Sequence, residues 1–312
     1  MDKLDWKILQ VLDFQGRIPL SQLAKQVHSN KDVVAYRIKK LEEQELIVRY
    51  FPVLDMSKLG YYTSRLYFDL EELDQTTEKE FIEFLDEEIN SGLIFRMDYP
   101  YRYGIVLWTK SIYDIEDVIV SIKRKLGKAL LRYNYALFCT YTIYPKDYLF
   151  GKRYHEVNYH LQAGVVEKYD SHDFLILREL AKDARISTIH IAQHLKIPQT
   201  TVSNKIKNLE KKKIILGYRA EINFMKLGYM NYFLEIYLEE NHNLVQIESW
   251  ANTSKNTVWL QKIIGTGDIE MEVEVKDRVE LEAFLNELRT RFKNIRKIVF
   301  WSQDYKKLTF LP

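Results

Sequence analysis

Apolar residues recur at intervals of three and four along the first part of the chain. They stand at Leu4, Ile8, Leu9 and Leu12, then at Leu23, Ala24 and Val27, and then at Val34, Ile38 and Leu41. This spacing places apolar side chains on one face of a helix, so it predicts three short helices that pack against one another. The letters "GRIP" separate the first helix from the second, and Asn30 is the predicted N-cap of the third.

The chain then alternates between strand and helix patterns. A β-type segment, "LIVRYFPVLD", leads into a turn at "KLGY". Beyond it we predict strands over 64–70, 93–98, 103–109 and 135–144, and helices over 77–90 and 112–126. The order β-α-β-β-α-β is typical of the ferredoxin-like fold, in which helices cover one face of an antiparallel sheet.

The whole pattern occurs twice. At an offset of 168, the 57 positions of 5–61 match 173–229 without a gap, and 18 of them are identical. A repeat of this length indicates a duplicated domain and not a solenoid unit. In the second copy Ser187 is a predicted helix cap, and Pro198 begins the third helix. The later strands are predicted over 232–238, 258–264, 269–275 and 297–301, and the later helices over 244–252 and 278–292.

We therefore predict an α+β chain with two winged helix-turn-helix domains, each followed by a ferredoxin-like βαββαβ domain. The predicted bounds are 1–60 and 61–144 for the first pair, 145–168 for a linker, and 169–228 and 229–312 for the second pair. The helix-turn-helix domains carry net charges of +2 and +5, the linker +1, and the ferredoxin-like domains −4 and −2. This distribution favours the former as the parts that face a polyanion, although solvated surface charge is the alternative.

Composition narrows the class of protein. The chain is 46% hydrophobic, it contains no apolar run long enough to span a membrane, and it starts with the charged stretch "MDKLDWKILQ". The single Cys139 allows no internal disulfide and no thiolate metal cluster. We expect a cytoplasmic protein with no membrane association, no cofactor and no metal site.

The third helix of each copy is the candidate for insertion into the major groove of DNA. Its outward residues can contact bases or phosphates because they are amides, hydroxyls, lysines and small side chains. In the first copy the predicted contacts are Lys31, Asp32, Ala35, Tyr36, Arg37, Lys39 and Lys40, and in the second they are Gln199, Thr200, Ser203, Asn204, Lys205 and Lys207. Arg37, Lys40, Lys205 and the run Lys211, Lys212, Lys213 are predicted to contact phosphates. A three-helix core used only for protein contacts is the alternative.

The sequence resembles the leucine-responsive regulatory protein (Lrp/AsnC) family, duplicated head to tail. The resemblance is carried by "LDWKIL", "GRIPLSQLA" and "VVAYRIKKLEEQELIVRY" in the first copy and by "HDFLIL", "ARISTIHIA" and "TVSNKIKNLEKKKIILGY" in the second. It implies that the ferredoxin-like domains are RAM domains, which in this family pair two chains and bind small molecules, often amino acids, at their interfaces. We expect double-stranded DNA as the partner, a covalent pseudo-dimer that recognises two unlike half-sites, and further homo-oligomers through the RAM domains.

The same resemblance implies an effector site in the second RAM domain. The family pattern of a glycine followed by an acidic residue is met by Gly265, Gly267, Asp268 and Glu270 in "IIGTGDIEMEV". The first copy has Tyr101 and Arg102 opposite Gly267 and Asp268, which is unfavourable for an amino-acid pocket there. A plain β-turn is the alternative, and the sequence does not decide between the two.

An enzyme is less favoured. The chain has no HExxH, GxSxG, GxxxxGK[ST] or GxGxxG motif, so no catalytic residue is predicted. His190 and His194 have metal-ligand spacing but no evident third ligand, which favours surface histidines. Siroheme decarboxylases resemble the same family and can occur as two fused copies, so a tetrapyrrole enzyme remains the alternative. "FRMDYPYRYGI", with Arg96 and Arg102, is loosely similar to their basic and aromatic segment.

Overall fold

A computed structural model describes residues 1–150, 159–162, 164–239, 244–308 and 311. In the first copy the elements are α1 Lys3–Phe14, α2 Leu20–Gln26, α3 Lys31–Glu43, β1 Ile47–Leu54, β2 Tyr62–Leu70, α4 Gln75–Glu87, β3 Leu93–Met97, β4 Tyr103–Thr109, α5 Ile112–Leu126 and β5 Leu130–Ile143. A short strand, β6 Tyr159–Gln162, follows. The second copy contains α6 Ser171–Lys182, α7 Thr188–Leu195, α8 Gln199–Lys211, β7 Ile215–Ile222, β8 Met230–Leu238, α9 Leu244–Ala251, β9 Thr257–Ile264, β10 Ile269–Val275, α10 Arg278–Arg291 and β11 Ile295–Leu308. The predicted α+β architecture is confirmed.

Each trio of helices closes around the apolar stripe that the sequence shows. Val34, Ile38 and Leu41 of α3 are buried in one cluster with residues of α1 and α2, and α8 contributes to a second cluster in the same way. Asn30 caps α3 by accepting the backbone N–H groups of Asp32 and Val33. The cap satisfies donors that would otherwise lack partners at the start of the helix.

The two helical units are joined by a two-stranded ribbon. Strand β1 pairs with β7 in antiparallel register, with Tyr50 opposite Ala220 and Pro52 opposite Tyr218. No other strand pairs with this ribbon among the described residues. The wings of both copies therefore form one element.

Eight of the remaining strands close into a barrel. Their order is β2-β4-β3-β11-β8-β10-β9-β5, and β5 pairs back with β2. Each of the long strands β5 and β11 pairs first within its own copy and then with the other copy, β5 with β9 and β11 with β3. Closure removes exposed strand edges from the ring of eight strands. Helices α4, α5, α9 and α10 pack on the outside of the barrel.

Two segments differ from the sequence prediction. The last strand was predicted over 297–301, but β11 runs on to Leu308 because its second half pairs with β3 of the other copy. The predicted linker contains β6, which extends the sheet beyond β5. The partner of the second half of β11 lies about 200 residues away in the sequence, so local periodicity does not show it. No helix among the described residues is long and apolar enough to cross a membrane.

Candidate functional site

Helices α3 and α8 stand in the helix-turn-helix position of their copies. The turn before each helix contains a residue in the left-handed conformation, His28 with φ 55° and Lys196 with φ 54°. Neither residue is a glycine, so each turn keeps a conformation that costs about 1 kcal/mol relative to the right-handed one. The two turns lie at equivalent positions of the repeat and have the same geometry.

The outward faces of the two helices are accessible. The Tyr36 residue is 65% exposed, and 76% of the Lys39 side chain is exposed. Lys31, Asp32, Lys40, Gln199, Thr200, Asn204 and Lys207 are also exposed, whereas Ala35 and Ser203 are partly buried. Lys39 pairs with Glu43 one turn along its helix, at 3.7 Å. The predicted contact residues therefore lie together on the accessible face of each helix, and their role in binding DNA stays a prediction.

Two of the predicted phosphate contacts have carboxylate partners within their own copy. Arg37 lies 2.6 Å from Asp2 and 3.2 Å from Asp5 at the start of α1. Lys205 makes the equivalent pairs with Asp170 and Asp173 at the start of α6. These pairs tie α3 to α1 and α8 to α6.

The Lys205 ammonium contributes to a low pKa at Asp170. Its hydrogen bond is the largest cause that lowers the pKa of that carboxyl to about 2, and the backbone N–H of Asp173 assists. The carboxylate therefore stays ionised at neutral pH. Lys205 could contact a phosphate only by leaving or sharing this partner.

Reciprocal arginine contacts hold the two helical units against each other. Arg17 donates to the carbonyl oxygen of Ala184, and Arg185 donates to that of Ile18 at 3.3 Å. Each guanidinium also lies over a tyrosine ring of the opposite wing, Arg17 over Tyr218 at 5.6 Å and Arg185 over Tyr50 at 4.7 Å. The two arginines occupy equivalent positions of the repeat, and so do the two tyrosines. These four residues therefore make a contact with approximate two-fold symmetry.

One buried ion pair in this region has no counterpart in the other copy. Arg219 pairs with Asp13, and both side chains are almost fully buried. The equivalent residues of the other copy are Phe51 and Ala181. Sequence reasoning missed this pair. The sequence signal that could have revealed it is that each of these charged residues stands where the other copy has an apolar residue.

The predicted effector residues lie in and beside the turn between β9 and β10. Gly265 has a φ of 134°, and a Cβ atom there would stand 2.0 Å from the carbonyl oxygen of Tyr135. A Cβ atom on Gly267 would stand 3.0 Å from the Glu235 side chain. Asp268 accepts the backbone N–H of Leu238 at 2.7 Å. The space that the glycines open is thus occupied by β5 and β8, and effector binding stays a prediction.

Glu270 lies deeper, inside the barrel. It accepts a hydrogen bond from the Tyr67 hydroxyl at 2.6 Å and pairs with Arg65 at 3.1 Å. Burial raises the pKa of the Glu270 carboxyl above its ordinary value, although Arg65 and Tyr67 favour its charged form. The guanidinium of Arg65 also lies 4.2 Å from the centre of the Phe233 ring. Sequence reasoning missed Arg65, since an arginine within a strand commonly points to solvent.

The histidine pair of α7 has a local explanation. His194 contacts Glu179 at 2.8 Å, and the backbone N–H of His190 donates to the capping Ser187. Across the part of the chain that the structure describes, no group of three or more histidine, cysteine or acidic residues could hold a metal ion.

Comparison with known proteins identifies the helical units. The AsnC-type helix-turn-helix domain matches residues 1–42, and a winged helix-turn-helix DNA-binding domain matches 169–215. An uncharacterized HTH-type transcriptional regulator of Pyrococcus horikoshii is 33% identical over 128 residues, which cover 41% of this chain and 80% of that protein. The HTH-type transcriptional regulator LrpC of Bacillus subtilis is 24% identical over 139 residues, covering 45% of this chain and 96% of LrpC.

A solved structure matches the duplicated arrangement. The siroheme decarboxylase NirDL has a TM-score of 0.65 to this chain and covers 99% of it, with 94% of NirDL included. Only 14% of the residues are identical, so this likeness concerns the fold alone. The helix-turn-helix domains and the regulator of Pyrococcus horikoshii, by contrast, match in sequence: this chain belongs to the Lrp/AsnC family of helix-turn-helix transcriptional regulators, with the family's pattern duplicated in one polypeptide.

Proposed function

We propose that the chain is a sequence-specific regulator that binds double-stranded DNA through α3 and α8 and acts as a covalent pseudo-dimer. The observation that carries the proposal is the pair of exposed third helices, joined by the β1–β7 ribbon and by the reciprocal contacts of Arg17 and Arg185. Two-fold binding places such helices about 34 Å apart, or a multiple of that, along the groove. Because α3 and α8 expose different polar residues, we propose an operator with two unlike half-sites.

The proposed contacts follow from exposure and pairing. Lys39 and Lys207, on equivalent turns of α3 and α8, are exposed and reach the solvent with long side chains. We assign them to phosphate or base edges. Arg37 and Lys205 contribute after exchanging a carboxylate partner for phosphate. Gln199, Thr200 and Asn204 are proposed to contact bases in the second half-site.

Small-molecule modulation is proposed in the second ferredoxin-like unit. The residues are Gly265, Gly267, Asp268 and Glu270, and an amino acid is the expected class of ligand. Because β5 and β8 pack against the glycines, we place the ligand on the other side of this turn. We also propose that further copies of the chain associate through the ferredoxin-like units.

The first experiment is a salt titration of binding to random duplex DNA, followed by fluorescence anisotropy. Phosphate contacts make the logarithm of affinity fall linearly with the logarithm of salt concentration. Lys39→Glu and Lys207→Glu should each weaken binding to all sequences and reduce the slope by about 1. Lys79→Glu on α4 is the matched control, because Lys79 is equally exposed and also pairs with a glutamate four residues on. If the protein does not bind DNA even at low salt, the proposal that it is a DNA-binding regulator is wrong.

A tetrapyrrole enzyme is the second candidate because NirDL has the same duplicated fold over nearly the whole chain. Arg96, in the segment similar to those enzymes, pairs with Glu78 at 3.3 Å and is exposed. Titration with siroheme, followed by its visible absorbance, tests this candidate. A saturable spectral change together with no DNA binding would favour the enzyme.

A further inference from the structure

A cavity of about 410 Å³ lies between the β1–β7 ribbon and the barrel. Its lining combines Phe51 and Val53 of the ribbon with Phe138, Tyr141 and Trp259 of the barrel strands. A volume of this size is within the range of small-molecule sites, which runs from about 300 to 1,000 Å³. The predicted effector turn, Gly265 to Glu270, does not contribute to the lining.

Aromatic rings form one wall of this cavity. Tyr141 and Trp259 are stacked, with ring centres 4.8 Å apart, and Phe138 lies 6.2 Å from Tyr141. The faces of such rings carry partial negative charge and attract organic cations. The wall thus provides apolar area together with a weak preference for positive charge.

Two amide groups in the lining have acceptors without partners. Asn231 is 6% exposed and Gln261 is 1% exposed, and their side-chain oxygens make no hydrogen bond with any described residue. A buried acceptor left without a donor costs about 1–3 kcal/mol. Arg65 also lines the cavity, and its Nε is an unpartnered donor. Its Nη1 atom is taken by Glu270.

The strand register gathers these acceptors around Glu272. On β10, Glu272 stands opposite Phe233 of β8 and Trp259 of β9. Asn231 and Gln261 face the same side of the sheet two residues along those neighbouring strands, which makes them diagonal neighbours of Glu272. The side chains of Asn231 and Gln261 are therefore neighbours of Glu272, and the Asn231 amide makes a hydrogen bond with the Glu272 carboxylate while its oxygen stays without a partner among the described residues.

The ion pair that Glu272 makes is longer than those of Glu274 and Glu221 in the same lining. Glu274 binds Lys146 at 2.7 Å, Glu221 binds Arg49 at 2.5 Å, Arg219 binds Asp13, and Asp55 accepts the Ser57 hydroxyl at 2.6 Å. The nearest cation to Glu272 is Arg65 at 3.7 Å, and Arg65 lies closer to Glu270. The Tyr305 hydroxyl is 3.4 Å away. A negative charge beside two unpartnered amide oxygens calls for a ligand that donates hydrogen bonds and carries positive charge.

We propose that this cavity binds a compact organic amine. Its ammonium donates to Glu272, Asn231 and Gln261, and its apolar part lies against Tyr141 and Trp259. The site goes beyond the proposed DNA-binding function, and occupancy of the cavity does not depend on DNA. Apart from the Arg65 Nε, a carboxylate or phosphate ligand would meet acceptors and the Glu272 carboxylate, so this end of the cavity favours a cation over an anion.

The test compares three ligands of one shape with the full-length protein in the absence of DNA. The probes are phenethylamine, 2-phenylethanol and phenylacetate, and calorimetry and tryptophan fluorescence report binding. Phenethylamine should bind in the millimolar range or tighter, and the neutral and anionic probes should bind at least about tenfold more weakly. Equal affinity for the three probes would overturn the proposal. Absence of phenethylamine binding would also overturn it, because the cavity would then hold water only.

Variants locate the site. Glu272→Gln should weaken phenethylamine binding by about tenfold or more, since it removes the charge and keeps the shape. Glu235→Gln is the matched control, because Glu235 is as deeply buried in the barrel but does not line the cavity. Gln261→Met is a second test that keeps side-chain volume, and it should weaken binding by severalfold. If neither Glu272→Gln nor Gln261→Met binds more weakly than Glu235→Gln, the proposed site is wrong.

Discussion

The paired helical units and the barrel interior differ in how far they keep the two-fold symmetry of the repeat. Between the helical units, most polar contacts occur twice. Arg17 and Arg185 exchange contacts with the opposite copy, and the Tyr50 and Tyr218 hydroxyls each donate to a glutamate of their own copy at 2.8 Å. Even the backbone contacts repeat, since Gly16 donates to the Tyr218 carbonyl and Ala184 to the Tyr50 carbonyl.

The barrel interior has lost this symmetry. Glu270, Glu272 and Glu274 point inward from β10. The equivalent strand of the first copy, β4, has Gly104, Val106 and Trp108 at these positions. Gly104 is required there because a Cβ atom would stand 2.2 Å from the Phe95 ring. The inward face of β10 is therefore acidic, whereas that of β4 carries no charge.

The difference indicates which parts of the duplicated chain perform a role that requires two-fold symmetry. The contacts between the helical units orient two helices toward one approximately symmetric partner, so both copies need them. An interior cavity enclosed by both copies has no need of two-fold symmetry, so its two halves are free to diverge. The buried pair of Asp13 and Arg219 is an exception, because it is an asymmetric contact within the helical region. Variants of this pair therefore test most directly whether the helical units need symmetric contacts.

Asp13→Ala should have the largest effect on stability. It leaves the buried Arg219 guanidinium without its carboxylate, which typically costs about 3–5 kcal/mol. Urea unfolding followed by circular dichroism measures the loss. The double variant Asp13→Ala with Arg219→Phe copies the apolar pair of the other copy, Ala181 and Phe51, and should recover most of the stability. A double variant as unstable as the single one would show that the asymmetry is structurally required.

More of the fold than of the candidate site could be predicted from the sequence. The stripe of Val34, Ile38 and Leu41 predicted the buried face of α3, and β10 was predicted with its observed bounds. The alternation in "IEMEVEV" nevertheless suggests glutamates facing water, whereas they face the barrel interior. Closure of the barrel depends on β5 meeting β9 more than 100 residues away in the chain. Local periodicity contains no information on such pairing, so neither the cavity nor the Arg65 network was predictable.

Giving α8 the outward residues of α3 that are not predicted phosphate contacts should convert unlike half-sites into a palindrome. The variant replaces four outward residues of α8 by those of α3, with the changes Gln199→Lys, Thr200→Asp, Ser203→Ala and Asn204→Tyr. Each base pair that no longer fits should cost about 1–3 kcal/mol on the original operator. Selection from random duplexes measures the preferred site of both proteins. A wild-type site that is already a perfect palindrome would contradict the proposed difference between the helices.

Arg17→Ala and Arg185→Ala should have smaller and nearly equal effects. Each change removes one charge-assisted hydrogen bond to a carbonyl and one contact with a tyrosine ring, and should lower the free energy of unfolding by about 1–2 kcal/mol. The exposed Arg289→Ala on α10 is a control for removal of an arginine from the surface. If the two variants differ in free energy of unfolding by more than about 1 kcal/mol, the two arginine contacts are not energetically equivalent, although their geometry is similar.

The smallest effect is expected from Glu272→Gln, and it should depend on pH. Burial is the main cause that raises the pKa of the Glu272 carboxyl above its ordinary value of 4.5, and Glu274 adds to the shift against the opposing effects of Arg65 and Lys146. The folded state therefore binds a proton more tightly than the unfolded state at this group. Its contribution to stability is full below about pH 4.5 and is lost as pH rises through the folded pKa.

Glu272→Gln removes the titrating carboxyl, so the variant does not lose this stability as pH rises. The variant should be more stable than the wild type at pH 7, by on the order of 1 kcal/mol or less, and the advantage should vanish as pH falls toward 4.5. Thermal unfolding at several pH values measures the difference, and Glu282→Gln on the surface of α10 should show no such trend. A variant less stable than the wild type at pH 7 would mean that Arg65 needs both carboxylates. In that case the acidic half of the barrel interior would serve stability, and the asymmetry would not by itself point to a ligand.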